Sequence, residues 1–372
     1  MNEPPEKTVG STLPDNYEKI LSSHTKNNVG LIRLILALLV IVSHSPELID
    51  GNRSREILTR VFGTMSFGEI GVDGFFLISG FLITRSYERS ASIGGYLLKR
   101  VLRIVPGYVI AFVLTLAIVE PLAGGYASIH ELGQSLHRLA LLQPPPDMPG
   151  VFKHLPYPTS NGSMWTISYE FRCYLLVILA GLIGMLRYKW SLLATVVLLM
   201  ALHVTGAGAT LAIPFRVEEL TGAPADMIRF AFVFSVGAAF HAFERHIPYN
   251  AAGIASSAAL LIALMFSHRF AEPAFAVFGG YLLFWFAFHA PVTPFSRFDA
   301  KVDLSYGVYL YAWPVQSLLI YWYGGLSPWT VLVVSTAIVS VLATASWFAV
   351  EQPFMRLKSR KKPKAELQMA AS

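Results

Sequence analysis

The sequence contains little charge and almost no cysteine, and both shortages restrict the kind of protein it encodes. Charged residues make up 14% of the 372 residues, whereas soluble globular chains carry about 25%. The single cysteine, Cys173, excludes an internal disulfide and a zinc site held by several cysteines. Because the chain is also 54% hydrophobic, its composition excludes a disordered protein, a fibrous repeat and an ordinary soluble enzyme. It indicates a polytopic membrane protein.

The first 28 residues lack the pattern of a secretory signal peptide. They are polar and of mixed charge, whereas a signal peptide opens with a basic segment that an apolar one follows. We therefore expect residues 1–28 to form a cytoplasmic segment. The first apolar run then remains in the protein as a membrane helix.

Ten apolar segments predict membrane helices, which need about 20 mainly apolar residues each. The predicted fold class is an all-α, polytopic integral membrane protein with about ten transmembrane helices and both termini in the cytoplasm. We expect a transmembrane domain over residues 29–355 and a basic cytoplasmic tail over 356–372. The predicted segments are 29–46, 70–88, 101–121, 165–186, 190–205, 226–244, 250–268, 274–290, 304–323 and 328–350.

Basic residues in the short connections indicate the orientation, because cytoplasmic loops are enriched in Lys and Arg. With ten spans, most of these residues fall on the same side as both termini, and Arg53, Arg55 and Arg60 are exceptions on the outer side. The basic tail fits a membrane anchor, and no nucleic acid is expected as a partner because no nucleic-acid motif accompanies it. The cytoplasmic set is Arg85, Arg89, Lys99, Arg100, Arg103, Arg187, Lys189, Arg245, Arg297 and Lys301.

Ionisable residues inside membrane segments are costly, and they indicate function. Arg33 and His44 are eleven residues apart on the first segment, so both face one side of a helix, about 16 Å apart along its axis. Arg33 is expected near the cytoplasmic end and His44 in the outer half. The order of the segments places Asp73 and Glu170 at a depth similar to that of His44, and Glu170 is expected to have a partner on another helix.

The cytoplasmic side brings Arg33 together with a basic group that includes Lys99, Arg100 and Arg103. Two interpretations stay open for this cluster. It is either the ordinary positive charge of cytoplasmic loops or a site for a polyanion such as a nucleotide phosphate.

The longest outer connection runs from about residue 122 to residue 164. Apolar residues between Ile129 and Ala140 recur at helical spacing, and three prolines, Pro144 to Pro146, follow them. This pattern predicts a short interfacial helix and then a stiff segment. The connection is either an inert link or a cover over an outer cavity.

Six short motifs follow one another along the hydrophobic part of the chain: Arg33 to His44, Gly71 to Ile83, Arg100 to Pro106, Met164 to Glu170, Ser305 to Pro314 and Val350 to Pro353. With these motifs the chain resembles the acyltransferase-3 family of integral-membrane acyltransferases over roughly residues 28–357. Two positions depart from the family's pattern. Ala312 stands where many relatives have histidine, so no catalytic histidine is expected there, and Thr166 replaces the usual serine but keeps a hydroxyl.

The resemblance implies transfer of an acyl group, usually acetyl, from cytoplasmic acyl-CoA to a hydroxyl. The implied acceptor is a surface polysaccharide or its lipid-linked precursor. The implied location is the bacterial inner membrane, where membrane lipid surrounds the protein. Succinyl transfer and acylation of a small lipophilic molecule stay open as alternatives. From another class, a transporter of polysaccharide precursors also fits ten spans with buried charges.

The donor is expected to bind at the inner layer of charge. Arg33, Arg100 and Arg103 would hold the phosphates of acetyl-CoA by charge-assisted hydrogen bonds. No metal is expected.

The chemistry is expected at the outer layer. His44 would act as general base on the acceptor hydroxyl, and Glu170 or Asp73 would orient its imidazole as the third member of a catalytic triad does. Direct attack and a covalent acyl-histidine both stay open.

Overall fold

A computed structural model describes residues 27–126, 129–292 and 302–357. Within these ranges every regular element is a helix, in agreement with the predicted all-α class. Almost all of the expected N-terminal segment 1–28 and basic tail 356–372 lies outside the described residues, as do Arg297 and Lys301.

Thirteen helices are labelled here in chain order, and single helical turns connect some of them. Three labelled helices, α4, α11 and α13, each contain one wider π-helical turn. The helices are α1 Val29–Asp50, α2 Ile57–Phe62, α3 Phe67–Glu88, α4 Ile93–Leu122, α5 Ile129–Ala140, α6 Trp165–Leu182, α7 Lys189–Val204, α8 Phe215–Thr221, α9 Pro224–Ala242, α10 Ala251–Leu264, α11 Ala271–Phe288, α12 Ser305–Tyr323 and α13 Pro328–Leu357.

Each of the ten predicted membrane segments overlaps one of these helices. In the described part of the chain, seven helices are long and apolar enough to cross a membrane: α1, α3, α4, α6, α8 together with α9, α11 and α13. The apolar helices α7 and α10 are shorter. The protein is therefore a multi-pass membrane protein, while the number of ten crossings and the cytoplasmic position of both termini stay predictions.

Helix α3 lies between α1 and α9 at the centre of the bundle. Glycines permit this close packing, as small residues do between membrane helices generally. A Cβ atom on Gly80 would lie 2.0 Å from the carbonyl oxygen of Phe234, and one on Gly237 would lie 2.1 Å from that of Leu77. The glycines of the second segment therefore serve to bring three backbones together around the residues described below.

The start of α3 is fixed by a reciprocal capping box. The Ser66 hydroxyl accepts a hydrogen bond from the Glu69 amide at 3.2 Å, and the Glu69 carboxylate accepts one from the Ser66 amide at 2.8 Å. Two otherwise unpaired backbone donors are satisfied in this way. The cap makes α3 begin at a defined residue and so fixes the position of Asp73, two turns further on.

Helix α5 forms where the sequence predicts an interfacial helix. Its apolar side chains Leu132 and Leu136 are 51% and 72% exposed. Apolar exposure of this kind suits a helix lying in the membrane interface.

Candidate active site

His44 lies on the C-terminal half of α1, in the wall of a cavity of about 380 Å³. The ring of Trp313 from α12 meets the imidazole edge-on, with 4.9 Å between ring centroids. Gly162 makes room for this indole, since a Cβ atom there would lie 2.6 Å from it. Helix α12 and the loop before α6 therefore hold the imidazole in one orientation at the cavity surface.

A buried carboxylate one helical turn further along, that of Glu47, pairs with His44. Its Oε2 lies 3.3 Å from Nδ1 of His44. Its Oε1 accepts hydrogen bonds from Nε of Arg53 at 2.6 Å and from the Tyr157 hydroxyl at 2.9 Å. The Glu47 side chain is only 4% exposed. Both carboxylate oxygens therefore have partners, and the carboxylate is held towards the imidazole.

This pairing determines what His44 can do. A carboxylate at Nδ1 favours the tautomer that carries its proton there, and Nε2 is then free to accept a proton. None of the hydrogen bonds within residues 27–126, 129–292 and 302–357 uses Nε2. This arrangement is typical of a histidine general base whose ring a neighbouring carboxylate orients.

The orienting carboxylate is not one of the two expected from the sequence. Asp73 is fully buried, and its two oxygens accept hydrogen bonds from Arg229 at 3.0 and 3.2 Å. Arg229 also donates to Glu272 at 2.8 Å. Asp73 thus pairs with Arg229, which lines the His44 cavity, and it makes no hydrogen bond with His44. The structure therefore does not place Asp73 where it could orient the imidazole.

Glu170 has the partner on another helix that the sequence predicts, but this partner is not His44. Its Oε1 accepts hydrogen bonds from Ser79 of α3 at 2.5 Å and from Tyr174 at 2.6 Å. It lines a separate chamber of about 40 Å³ together with Arg33. The expected triad through Glu170 is therefore not formed either, and Glu170 lines the same chamber as Arg33.

The small chamber and the His44 cavity adjoin at Tyr309. Val72 and Tyr309 line both of them. The Tyr309 hydroxyl lies 2.6 Å from that of Thr166, and both groups are buried. Tyr309 and Val72 therefore form a partition between the two spaces, and the hydroxyl at position 166 anchors it.

Arg33 and Arg103, which the sequence predicts for one binding site, do meet in the structure. Both guanidiniums bond to Oδ2 of Asp303, Arg103 at 2.6 Å. Arg103 also lies 3.6 Å from the buried carboxylate of Glu351. Burial alone would raise the pKa of the Asp303 carboxyl, but Arg103 and Arg33 lower that pKa to about 2.

Arg100 does not join this cluster. One of its terminal nitrogens donates to the hydroxyl of Ser86 at 3.4 Å, and its Nε atom is buried without a hydrogen-bond partner. Of the three arginines predicted to bind the donor, Arg33 and Arg103 therefore form a pair, and Arg100 lies apart from them. In the part of the chain that the structure describes, no cluster of His, Cys, Asp and Glu suits a metal ion.

Comparison with known proteins identifies the family. A family model described as an acyltransferase domain, that of acyltransferase family 3, matches residues 26–350. An O-acetyl transferase of Shigella phage Sf6 is 29% identical, with 92% of this chain and 99% of the relative covered. Nodulation protein 10 of Rhizobium leguminosarum bv. viciae is 28% identical, with 91% and 95% covered. No solved structure matches. Because the family match spans most of the sequence, the chain belongs to the acyltransferase-3 family and is an O-acyltransferase.

Proposed function

We propose that the protein transfers an acetyl group from cytoplasmic acetyl-CoA to a hydroxyl of a surface polysaccharide or its lipid-linked precursor, in the bacterial inner membrane. The observation that carries the proposal is the His44–Glu47 pair at the surface of the outer cavity, at 3.3 Å. The name of the phage relative, an O-acetyl transferase, supports acetyl as the group transferred. The two-layer arrangement of charge supports a donor that enters from the opposite side.

The donor's phosphates would bind at the inner layer. Arg33 and Arg103 share Asp303 there, and Arg100 lies nearby in sequence with a buried, unpaired Nε. Guanidinium groups suit phosphate because they present several donors in a fixed plane. Asp303 fixes the two guanidiniums side by side, and it would share them with the incoming phosphates.

The donor's narrow arm would then pass the partition to reach His44. The chamber on the donor side, about 40 Å³, has room for only about one water molecule. Entry of the arm therefore requires the Tyr309 side chain to move away from Thr166. Tyr309 and Thr166 would then lie beside the path of the donor's thioester.

The proposed chemistry uses His44 twice. Nε2 takes the proton of the acceptor hydroxyl while the hydroxyl oxygen forms a bond to the thioester carbonyl carbon. The carbon–sulfur bond breaks, and the imidazolium returns the proton to the thiolate of CoA. Glu47 stabilises the imidazolium between these steps. A route through an acyl-histidine would use the same nitrogen, with the thiolate leaving before the acceptor arrives.

The first experiment restores a deletion strain with either wild-type protein or His44→Ala and measures ester groups on its surface polysaccharide. We expect wild type to restore an ester with the mass of acetyl and His44→Ala to restore none at equal membrane levels. His154→Ala, which removes an exposed histidine, is the matched control and should restore acetylation. Retained transfer in His44→Ala would remove His44 from the chemistry, and an ester of succinyl mass would correct the donor.

A second experiment tests the donor site in purified protein. Arg100→Ala should raise KM for acetyl-CoA more than KM for the acceptor, because it removes a cation from the inner layer only. Arg187→Ala, at an exposed arginine assigned to the same side, is the control and should change neither. An unchanged dependence on acetyl-CoA in Arg100→Ala would contradict the assigned role.

A further inference from the structure

A second polar cavity opens beside the His44 cavity, and the indole of Trp165 lines both. It measures about 330 Å³. Helices α5 and α8 and the start of α6 enclose it. Its lining also includes Arg138, Gln143, Tyr169, Arg172, Glu218 and Glu219.

Side-chain contacts tie the walls of this groove together. Glu219 of α8 lies 2.7 Å from the imidazole of His137 on α5. Its carbonyl oxygen accepts hydrogen bonds from the side chains of Gln143 and Arg172, both at 3.1 Å. Arg172 also donates to the carbonyl of Leu220 at 2.8 Å. The groove is therefore held together by hydrogen bonds and an ion pair between its walls, and two of its charged side chains, Arg172 and Glu219, take part in them.

One cation in the lining is left for a ligand. The guanidinium of Arg138 makes no hydrogen bond or ion pair with residues 27–126, 129–292 or 302–357. A guanidinium offers five N–H donors and no acceptor. It therefore suits a ligand rich in hydroxyl or carboxylate oxygens.

An aromatic surface stands at the junction of the two cavities. Trp165 is 37% exposed, and the ring of Tyr169 meets it edge-on with 5.7 Å between centroids. Such rings present an apolar body beside a polar edge. That combination suits the alternating C–H and hydroxyl surfaces of a sugar ring.

The size and polarity of the two spaces indicate an acceptor of several units. Each volume alone lies near the lower end of the range for a whole small-molecule site, about 300–1,000 Å³. A small lipophilic acceptor would need only one of them and would favour apolar walls. A polar groove that leads away from the general base instead suits a chain whose reacting unit occupies the inner cavity.

We propose that this groove binds the acceptor as an extended glycan. The unit to be acylated lies between Trp165 and His44, and the neighbouring units lie along Arg138 and Gln143. This inference rests on the proposed function, and it specifies an oligomeric acceptor bound by residues outside the catalytic cavity.

The test compares acceptors of different length. Mild acid hydrolysis of surface polysaccharide from a strain lacking the gene yields fragments of one repeat unit and of three or more. Purified protein, with acetyl-CoA as donor, should show a kcat/KM about tenfold higher for the longer fragments, the effect of one charge-assisted hydrogen bond. Arg138→Ala should remove most of that preference and leave kcat/KM for the single unit little changed.

Two variants serve as controls, with thermal unfolding of each compared with wild type. Arg216→Ala removes an exposed arginine of α8 that does not line the groove, and it should keep the preference for longer fragments. Arg138→Lys keeps a cation at this position and should keep part of the preference for longer fragments.

The outcomes separate the two levels of the argument. Equal kcat/KM for short and long fragments in wild type, or an unaltered preference in Arg138→Ala, would overturn the groove proposal alone. Transfer of acetyl to neither fraction by wild type would overturn the proposed function and this inference with it.

Discussion

Nδ1 of His44 and Oε2 of Glu47 face each other across 3.3 Å, one helical turn apart on α1. Because both residues belong to α1, their backbone spacing is set within one helix, while Arg53, Tyr157 and Trp313 fix the two side chains. Under the proposed function, this pair forms the general base and the carboxylate that orients it.

Glu47→Gln tests this pair. We expect kcat to fall by roughly 10²-fold or more, the usual size of a general acid–base contribution, with KM for acetyl-CoA little changed. Tyr157→Phe should cost much less, because Arg53 still donates to the same carboxylate oxygen at 2.6 Å. Steady-state kinetics on both variants measures the difference. Equal losses in the two variants would mean that Glu47 acts through local structure and not through His44.

Thr166→Val tests the partition between the two chambers. It removes the partner of the buried Tyr309 hydroxyl, which lies 2.6 Å away, and an unpaired buried hydroxyl costs about 1–3 kcal/mol. We expect a lower unfolding temperature and a lower kcat. Thr166→Ser keeps the hydroxyl and should behave like wild type in both measurements. A Val variant as stable and as active as the Ser variant would show that the hydroxyl pair does not anchor Tyr309.

Asp73→Asn and Arg229→Gln test whether Asp73 serves the fold. Arg229→Gln leaves the fully buried Asp73 carboxylate without a cation, which costs about 3–5 kcal/mol, whereas in Asp73→Asn the guanidinium of Arg229 still pairs with Glu272. We expect Arg229→Gln to be strongly destabilised in thermal unfolding and Asp73→Asn to be destabilised less. The double variant should lose less than the sum of the two, since the coupled partners leave together. Strict additivity would show that the two side chains do not interact.

Asp303→Asn tests the inner ion pairs through their dependence on pH. Arg103 and Arg33 lower the pKa of Asp303 from its ordinary range to about 2, so its pairs contribute stability at any pH above the ordinary aspartate pKa. That contribution is lost only as the pH falls towards the folded value. We therefore expect wild type to exceed Asp303→Asn in unfolding temperature by the same margin across neutral and mildly acidic pH. A margin that shrinks steadily between neutral and mildly acidic pH would contradict the lowered pKa.

The sequence predicts the helices well because apolar length is a local property. Each of the ten segments overlaps a helix, and the interfacial helix α5 lies where the spacing of its apolar residues predicts. The meeting of Arg33 with Arg103 was also predictable, since the order of the segments assigns both to the same predicted layer. The exact count of crossings depends on how α7, α10 and α12 sit in the bilayer, which hydropathy alone does not decide.

The partners of the site residues were harder to predict. Glu47 lies three residues after His44, a spacing that places both on one face of a helix. In the sequence, however, a carboxylate near the end of a membrane helix cannot be distinguished from an ordinary charge at the membrane interface. Asp303 stands 270 residues from Arg33 in a connection between helices, and no local pattern joins them. The same limit explains Asp73, because its depth matches that of His44 while the packing of α3 against α9 turns it towards Arg229.

The partition at Tyr309 and Val72 has an electrical consequence. A polar path that joins the two sides of a membrane is also a route for protons and ions, driven by the membrane potential at about 2.3 kcal/mol per charge per 100 mV. The chamber next to the partition is small, about 40 Å³, and bordered by Phe75 and Phe76. In the proposed function the donor's arm opens this path only while filling it, so we expect acyl transfer without an open route for ions.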